Sequence, residues 1–269
     1  MRTAVRAALF AIPVLLSAQS PAPPNPAEQK ALVARMREAA LNYSDRLQDF
    51  LCTELLTRTA DTSGTGKKWK LLETRELELG YISHQEHYRL VKVNGKATET
   101  DKRVKRGYWT PGGEFGSSLL YIFGPKVAAE FTWDHEESAG DARSCVFRYH
   151  VPVATSSLVI NADMDHVKVA HGGFVTADCN TGAVMRFQLK TEPASVKRGG
   201  RDIAIGMELD LRYAMTAIGS GEFLLPQHAI EMAPFGPTET KAEIDFRDYR
   251  KYEASSNIVF DDESLGAGK

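Results

Sequence analysis

Histidine and aspartate side chains lie close together in one polar stretch of the sequence. His166 and His171 fall near Asp163 and Asp165, and imidazole nitrogens with carboxylate oxygens can hold a divalent cation. The same residues are also typical of a solvated hairpin and of the segment that leaves it, and we adopt that interpretation. The sequence therefore predicts no metal site and no cofactor, with a bound cation at these residues as the alternative.

A nucleophilic serine would need a glycine-flanked turn, with a histidine and an acid elsewhere in the fold. The nearest candidates are Gly116-Ser117 and Gly219-Ser220-Gly221, and neither has the Gly-x-Ser-x-Gly frame of that turn. We therefore predict no catalytic residue and no enzymatic activity. A secreted hydrolase is the third interpretation of the chain.

Composition and charge exclude two classes of protein. Of the 269 residues, 43% are hydrophobic and 25% are charged, which excludes wholesale disorder. The net charge of -2 provides no concentrated positive field for nucleic acid. One basic cluster, Lys102 to Arg106, stands beside Tyr108 and Trp109. Because the whole chain is acidic, we interpret this cluster as a solvated loop, with an anionic lipid head group or glycan as an alternative partner.

The N-terminus has the layout of a secretory signal. Arg2 and Arg6 precede an apolar run from Ala7 to Leu16, and this run is short for a membrane span. We predict a signal peptide over residues 1–18 and a proline-rich spacer over 19–25. No later stretch is long and apolar enough to cross a bilayer, so the protein is expected in the periplasm or outside the cell.

Three cysteines, Cys52, Cys145 and Cys179, are present. An oxidising compartment would permit a disulfide, but three thiols allow three alternative bridges and always leave one cysteine over. Their spacing matches no zinc site. The sequence predicts partly buried thiols with at most one bridge, and it leaves the pairing open.

One long amphipathic helix is predicted from Pro26 to Leu47. Asn25 and Glu28 suit the first turn of this helix, with Asn25 as its N-cap. Apolar residues then recur at spacings of three and four, and they form one stripe: Leu32, Met36, Ala39, Tyr43 and Leu47. A stripe of this kind packs against an apolar surface.

Two later stretches alternate between apolar and polar residues. From Ala183 to Lys190, and again from Ile205 to Met215, every second residue is apolar. A period of two indicates β-strands with one apolar and one solvated face. We predict a mainly β, antiparallel fold in a single domain over 26–260, followed by a disordered tail over 261–269.

Three segments in the last third of the sequence resemble a known group of proteins. They read Asp-Cys-Asn-Thr-Gly-Ala-Val-Met-Arg at 178–186, Gly-Glu-Phe-Leu-Leu-Pro at 221–226 and Ile-Asp-Phe-Arg-Asp-Tyr-Arg-Lys-Tyr at 244–252. The segments are similar to those of a group of secreted bacterial proteins of unassigned function. They are more distantly similar to the periplasmic lipoprotein-carrier superfamily, which has the LolA/LolB-like fold.

The resemblance implies a strongly curved antiparallel sheet, an incomplete β-barrel that holds the N-terminal helix against its concave side. Carrier members of the superfamily shelter acyl chains in that hollow. The three segments are turns and strand ends, so the resemblance transfers the fold and no ligand-contacting residue. Lys96 to Gly124 reads as an insertion relative to the short carriers.

Together, these expectations predict a non-enzymatic carrier or binding protein for a lipophilic ligand or an envelope component. Its expected partner is a lipid, an acyl chain or a lipoprotein, and its oligomeric state is left open. The predicted apolar lining combines the helix stripe with the two alternating strands: Leu32, Met36, Tyr43, Met185, Phe187, Met207, Leu209, Leu211 and Tyr213. The alternative is a structural or interaction protein with a filled core, because such a face is more often core than pocket.

Overall fold

The computed structural model describes four stretches of the chain: residues 23–98, 113–139, 142–162 and 164–252. Several predicted features lie outside the described residues: the signal peptide 1–18, most of the spacer 19–25, the basic cluster Lys102 to Arg106 and the tail 261–269. The extent of the single domain, 26–260, stays a prediction.

The helix α1 spans Pro26–Leu41. Its start is as predicted, because the Asn25 side chain accepts hydrogen bonds from the N–H groups of Ala27 and Glu28, both at 3.0 Å. The Glu28 carboxylate in turn accepts a hydrogen bond from the Asn25 N–H at 2.8 Å. This capping box satisfies N–H groups that have no partner inside the helix.

The predicted helix end at Leu47 is wrong, since α1 ends at Leu41. Asn42 and the polar residues after it disfavour a helix interior, because Asn, Ser and Asp side chains compete for backbone hydrogen bonds. The chain continues instead into a 3₁₀ turn over Ser44–Arg46. Tyr43 and Leu47 are nevertheless buried, so the stripe keeps its apolar contacts beyond the helix.

A second helical piece follows much later in the chain. A 3₁₀ turn over Ser117–Leu119 leads into the short helix α2, Leu120–Phe123. None of the helices in the described ranges is long and apolar enough to cross a membrane.

The strands in the described part of the chain are β1 Phe50–Asp61, β2 Lys70–Ile82, β3 Gln85–Val93, β4 Lys96–Ala97, β5 Glu130–Ala139, β6 Ala142–Val151, β7 Val159–Ala162, β8 Asp165–Lys168, β9 His171–Asp178, β10 Val184–Thr191, β11 Ala194–Arg198, β12 Arg201–Ile205, β13 Glu208–Ile218, β14 Gly221–Phe235 and β15 Thr238–Lys251. Most of them form one curved antiparallel sheet. The predicted fold class, a mainly β fold with an N-terminal helix, is therefore confirmed.

The order of the large sheet is β4-β3-β2-β1-β15-β14-β13-β10-β9-β6-β5. The hairpin β11–β12 joins it through a pairing of Ile205 with Phe235, and β7 pairs with β8 in a separate hairpin. Among the described residues, the end strands β4 and β5 do not pair with each other. The sheet is thus an incomplete barrel.

The alternation on β13 places most of its apolar residues inside. Leu209, Leu211 and Tyr213 are buried, and Arg212 between them is exposed. The pattern breaks near the end of the strand, where Met215 is 57% exposed. A register shift between β13 and β14 falls at Arg212 and Tyr213, and such bulges bend and twist a sheet. Met215 therefore lies beyond the covered core.

Met185, which is predicted to line the hollow, is displaced by a second bulge. The pairing of β10 with β9 shifts register between Val184 and Arg186, which leaves Met185 as the extra residue. Because side chains alternate with a period of two, one extra residue exchanges the two faces of the strand. Val184 is therefore buried in the core, whereas Met185 is only half-buried and stands outside the described core cluster.

A disulfide links Cys145 on β6 to Cys179 directly after β9, with Cα atoms 5.2 Å apart. Cys52 is a free, buried thiol. The sheet brings these two cysteines together because β6 and β9 are neighbours, and Cys145 lies opposite Ala177. The pairing that the sequence leaves open thus follows from strand order.

Replacing both Cys145 and Cys179 by serine should lower the free energy of unfolding by about 2–4 kcal/mol, since the bridge restricts the unfolded chain. Urea unfolding of the oxidised wild type and of the double variant would measure the difference. Adding reductant should destabilise the wild type and leave the double variant unchanged. Equal stabilities would contradict this disulfide.

Candidate functional site

The concave side of the sheet forms a hollow with two apolar walls. One wall consists of β1, β2 and β15, and the other consists of β6, β9, β10 and β13. Buried residues of α1 and of the segment 113–127 belong to the same hydrophobic cluster as both walls. We call α1 and residues 113–127 together the cover.

The cover fills the hollow with its own side chains. Met36 of α1 and four residues of the second cover segment are each at most 2% exposed. Those four residues are Phe115, Leu119, Ile122 and Phe123. The space between the walls is thus occupied by helical and loop residues, and the sheet contributes only the walls.

Side-chain hydrogen bonds to backbone carbonyls hold the cover in place. Those of α1 and its following turn are Arg35 to Cys179 O at 3.1 Å, Arg37 to Phe123 O at 3.2 Å and Tyr43 to Leu224 O at 2.8 Å. Those of the second cover segment are Ser44 to Phe115 O at 3.2 Å, Tyr213 to Glu114 O at 2.8 Å and a contact of His171 Nε2 with Tyr121 O at 3.2 Å. The contacts of Arg35, Tyr213 and His171 join the cover to the walls or to the turn beside them, and that of Arg37 joins the two parts of the cover. Apolar contacts supply the rest.

The turn after β9, one of the segments that carry the resemblance, docks α1. Asp178 Oδ1 accepts hydrogen bonds from the N–H groups of Asn180 and Thr181, at 3.0 and 2.7 Å, and so closes the turn. Gly182 has φ +75°, and a Cβ atom there would lie 2.5 Å from the backbone carbon of Arg35. Only glycine lets α1 approach the turn this closely.

Aromatic rings line the end of the hollow near β1. Phe50 stacks on Tyr81, with ring centroids 5.3 Å apart, and Phe115 of the cover lies 5.3 Å from Phe50. Phe115 also meets Phe246 edge-on at 5.7 Å, and Tyr249 meets Phe50 at 5.6 Å. Aromatic pairs of this geometry add to the stability that burial provides.

The structure brings most of the predicted lining together. The residues that are buried in the core cluster are Leu32, Met36, Tyr43, Phe187, Leu209, Leu211 and Tyr213. Met207 packs against this cluster while remaining partly exposed, and Met185 lies outside it. Whether these side chains contact a ligand stays a prediction.

Two buried carboxyl groups were missed by the sequence reasoning. Glu54 on β1 is 0% exposed, and neither of its carboxyl oxygens has a hydrogen-bond partner among the described residues. Glu114 of the cover is also buried, and its Oε2 has no partner there. The sequence did contain a signal for Glu54, because Glu54 lies on the same face of β1 as the apolar residues Cys52 and Leu56.

Burial of these groups favours their neutral form. It raises the pKa of Glu54 to about 8, and the negative charge of Glu86 adds to the effect. Burial also raises the pKa of Glu114 well above its ordinary value, helped by the charges of Glu54 and Glu86. Glu86 itself accepts hydrogen bonds from the Tyr88 hydroxyl at 2.7 Å and from the Gly113 N–H at 3.3 Å.

A groove of about 810 Å³ lies on the opposite, solvated face of the sheet, across β6, β9, β10, β13 and β14. Its charged groups are largely paired with one another, as His150 is with Glu192 at 2.9 Å and Lys190 is with Glu208 at 2.5 Å. Arg148 lies over the Phe174 ring, 5.4 Å from its centroid. The groove therefore offers little unpaired charge for recognition.

The histidine and aspartate side chains that the sequence offers for metal binding contact other groups in the structure. His166 contacts Asn161 at 2.6 Å, and Asp165 pairs with Arg198; Asp163 lies outside the described residues. His171 is fully buried and lies 3.3 Å from the hydroxyl of buried Ser156. Among the described residues no group of three or more acidic, histidine or cysteine side chains is arranged to hold a metal.

The fold and the hollow define a β-rich protein whose curved sheet is closed by a helical cover. No protein-family model and no curated protein matches the chain. Solved structures resemble it at low sequence identity. A LolA superfamily protein from Nitrosomonas europaea is 10% identical, with a TM-score of 0.33, and the match covers 83% of this chain and 93% of that one.

The second structure is a DUF1329 family protein from Desulfovibrio piger, which is 7% identical, with a TM-score of 0.35. That match covers 84% of this chain and 95% of the other. The distant resemblance that the sequence predicts is thereby confirmed. At these scores the likeness carries no information on what this chain binds.

Proposed function

We propose that the chain is a non-enzymatic binding protein, acting outside the cytoplasm, that holds a lipophilic ligand or the acyl part of an envelope component in the hollow. One observation carries the proposal: the apolar walls are closed by a helical cover that is fixed by a few side-chain anchors. A ligand can take the place of part of such a cover without breaking any strand pairing.

An acyl chain offsets part of the cost of the exchange. Displacing Leu119, Ile122 and Phe123 removes apolar contacts in the core cluster, and an acyl chain in the same space contributes about 0.8 kcal/mol per buried CH₂. Met36, and Met207 at the edge of the cluster, suit this exchange because the flexible thioether side chain repacks around varied shapes. The hollow thus favours apolar ligands with little constraint on their shape.

The disulfide between Cys145 and Cys179 supports the proposed location outside the cytoplasm. Disulfides persist in oxidising environments and are rare in the reducing cytosol. Together with the predicted signal peptide 1–18, it favours a periplasmic or extracellular location.

The second candidate is a structural or interaction protein with a permanently filled core. It is favoured by the near-complete burial of the cover residues, each at most 2% exposed. The two candidates differ in one property. In a binding protein an apolar chain displaces part of the cover, and in a structural protein the cover stays in place.

Titration with uncharged n-alkanols of increasing length separates the two candidates. If the cover yields, the melting temperature should rise with chain length until the hollow is full, because the ligand binds the folded state. Leu211→Ala, which enlarges the hollow, should move the best chain length upward, and the exposed Met215→Ala should not. A flat response at every length would contradict the binding function, and lipid found by mass spectrometry in the gently purified protein would support it.

A further inference from the structure

Polar groups inside the hollow fall into two sets. Six tyrosine hydroxyls among the described residues of this region donate to an acceptor: Tyr43 to Leu224 O at 2.8 Å, Tyr81 to Ser44 O at 3.5 Å, Tyr88 to Glu86 at 2.7 Å, Tyr149 to Gln188 O at 3.1 Å, Tyr213 to Glu114 O at 2.8 Å and Tyr249 to Pro226 O at 2.5 Å. The carboxyl groups of Glu54 and Glu114 are the contrast, since three of their four oxygens have no partner among the described residues.

Three carboxyl groups converge from different elements. Glu54 projects from β1 on the parity of Cys52 and Leu56, Glu86 comes from β3, and Glu114 comes from the cover. Glu86 accepts a hydrogen bond at 3.3 Å from the N–H of Gly113, the residue before Glu114, and the charges of Glu54 and Glu86 both raise the pKa of Glu114. The site therefore has two members on strands of the sheet and one on the cover.

The charges that act on these groups are all negative within the described residues. Glu54 is influenced by Glu86, and Glu114 is influenced by Glu54, Glu86 and Glu231. No arginine or lysine side chain is among these influences. A buried carboxyl group without a donor is costly, and such groups in folded proteins are normally satisfied. Within the described residues, what the site lacks is a positively charged donor.

We propose that Glu54, Glu86 and Glu114 form a head-group subsite of the hollow, and that the ligand carries a cationic nitrogen, such as a protonated amine, on its apolar chain. This inference rests on the proposed function, because it names the polar end of the ligand whose apolar end the hollow would hold. Phe50 pairs with Tyr81, Tyr81 lies opposite Glu86, and Phe115 follows Glu114 in the chain. These aromatic rings are therefore near the subsite and would favour a cation there.

Binding would couple to proton release. A protonated amine stays charged, and a neutral carboxyl group that comes to face it loses its proton to solvent and becomes its counter-ion. Because one partner, Glu114, lies on the cover, the cation would also draw the cover towards the wall. Anionic chains would be rejected, since they would add charge of the same sign.

The test compares n-alkylamines, n-alkanols and n-alkanoates of one chain length at pH 7, below their micelle concentrations. Calorimetry in two buffers of different ionisation enthalpy measures the affinity and the protons released. We expect the amine to bind more tightly than the alkanol, the alkanoate to bind most weakly, and the amine to release on the order of one proton. Glu54→Gln should weaken amine binding about tenfold to hundredfold, abolish most of the proton release and leave alkanol binding unchanged.

Glu222→Gln is the matched control, because Glu222 is exposed at the start of β14, and it should behave as the wild type. Glu114→Gln provides a second variant on the cover and should act like Glu54→Gln. Equal binding of amine and alkanol, or an amine preference that survives both interior variants, would overturn the subsite while leaving the binding function intact. Failure of all three chain types to bind would overturn both proposals.

Discussion

Glu54→Gln should make the protein more stable than the wild type at alkaline pH, by on the order of 5 kcal/mol. In the wild type the folded protein keeps the Glu54 proton up to a pKa of about 8, whereas the unfolded chain loses it near 4.5. The unfolded state therefore binds fewer protons at this site between these values, so the contribution of Glu54 to stability is most favourable below pH 4.5 and falls as the pH rises to about 8. A shift of this size corresponds to about 5 kcal/mol at 1.36 kcal/mol per pKa unit.

Other ionisable groups around Glu54 also make stability fall as the pH rises. Glu86 on β3 raises the pKa of Glu54, and burial raises the pKa of Glu114 on the cover in the same sense. Burial also raises the pKa of Glu231 on β14 to about 7. The neighbouring Cys52 thiol has its pKa raised by burial and remains neutral. Removing one carboxyl group should therefore reduce the alkaline loss and leave part of it.

Denaturant unfolding from pH 4 to 9 would measure the effect. The stability curves of the wild type and of Glu54→Gln should be close at pH 4 and diverge through pH 8, while the exposed Glu222→Gln should follow the wild type throughout. Parallel curves for the wild type and Glu54→Gln would show that Glu54 is hydrated or paired in solution.

Leu211→Ala should lower the free energy of unfolding by about 2–5 kcal/mol, because it removes buried methyl groups and leaves a cavity. Leu211 is 0% exposed and lies opposite Phe187 and the fully buried Ala229 on the neighbouring strands. Met215→Ala, further along β13, should stay within about 0.5 kcal/mol, as changes at exposed positions usually do.

Urea unfolding of both variants would test the contrast, with the slope of the denaturant dependence checked for a change of the unfolded state. If the two losses were equal, the apolar face of β13 would be covered as far as Met215. A small loss at Leu211 alone would mean that the hollow collapses around the missing side chain.

Local rules were sufficient for the regular parts of the molecule. The capping box at Asn25 depends on residues three positions apart, and it forms as predicted. The alternation at Leu209, Leu211 and Tyr213 depends only on strand period, and these residues are buried. In both cases the physical cause lies within one element, so the sequence of that element contains it.

Features that depend on neighbouring strands were not predictable. The bulge at Met185 is set by pairing with β9, and the bridge from Cys145 to Cys179 is set by strand order. The two buried carboxyl groups without partners, Glu54 and Glu114, belong to β1 and to a segment far along the chain, and only the fold brings them together. The sequence signal for this site was that Glu54 alternates in phase with the apolar residues of β1. A glutamate at such a position is easily interpreted as belonging to the edge of a strand.

The place of the disulfide has a consequence for how the hollow could be regulated. Cys179 is bridged to β6, its carbonyl oxygen receives the hydrogen bond from Arg35 of α1, and the turn it begins ends at Gly182, against the backbone of α1. The covalent bond therefore restricts the turn against which α1, the helical part of the cover, packs. We expect the rate of ligand entry to depend on the redox state of the protein.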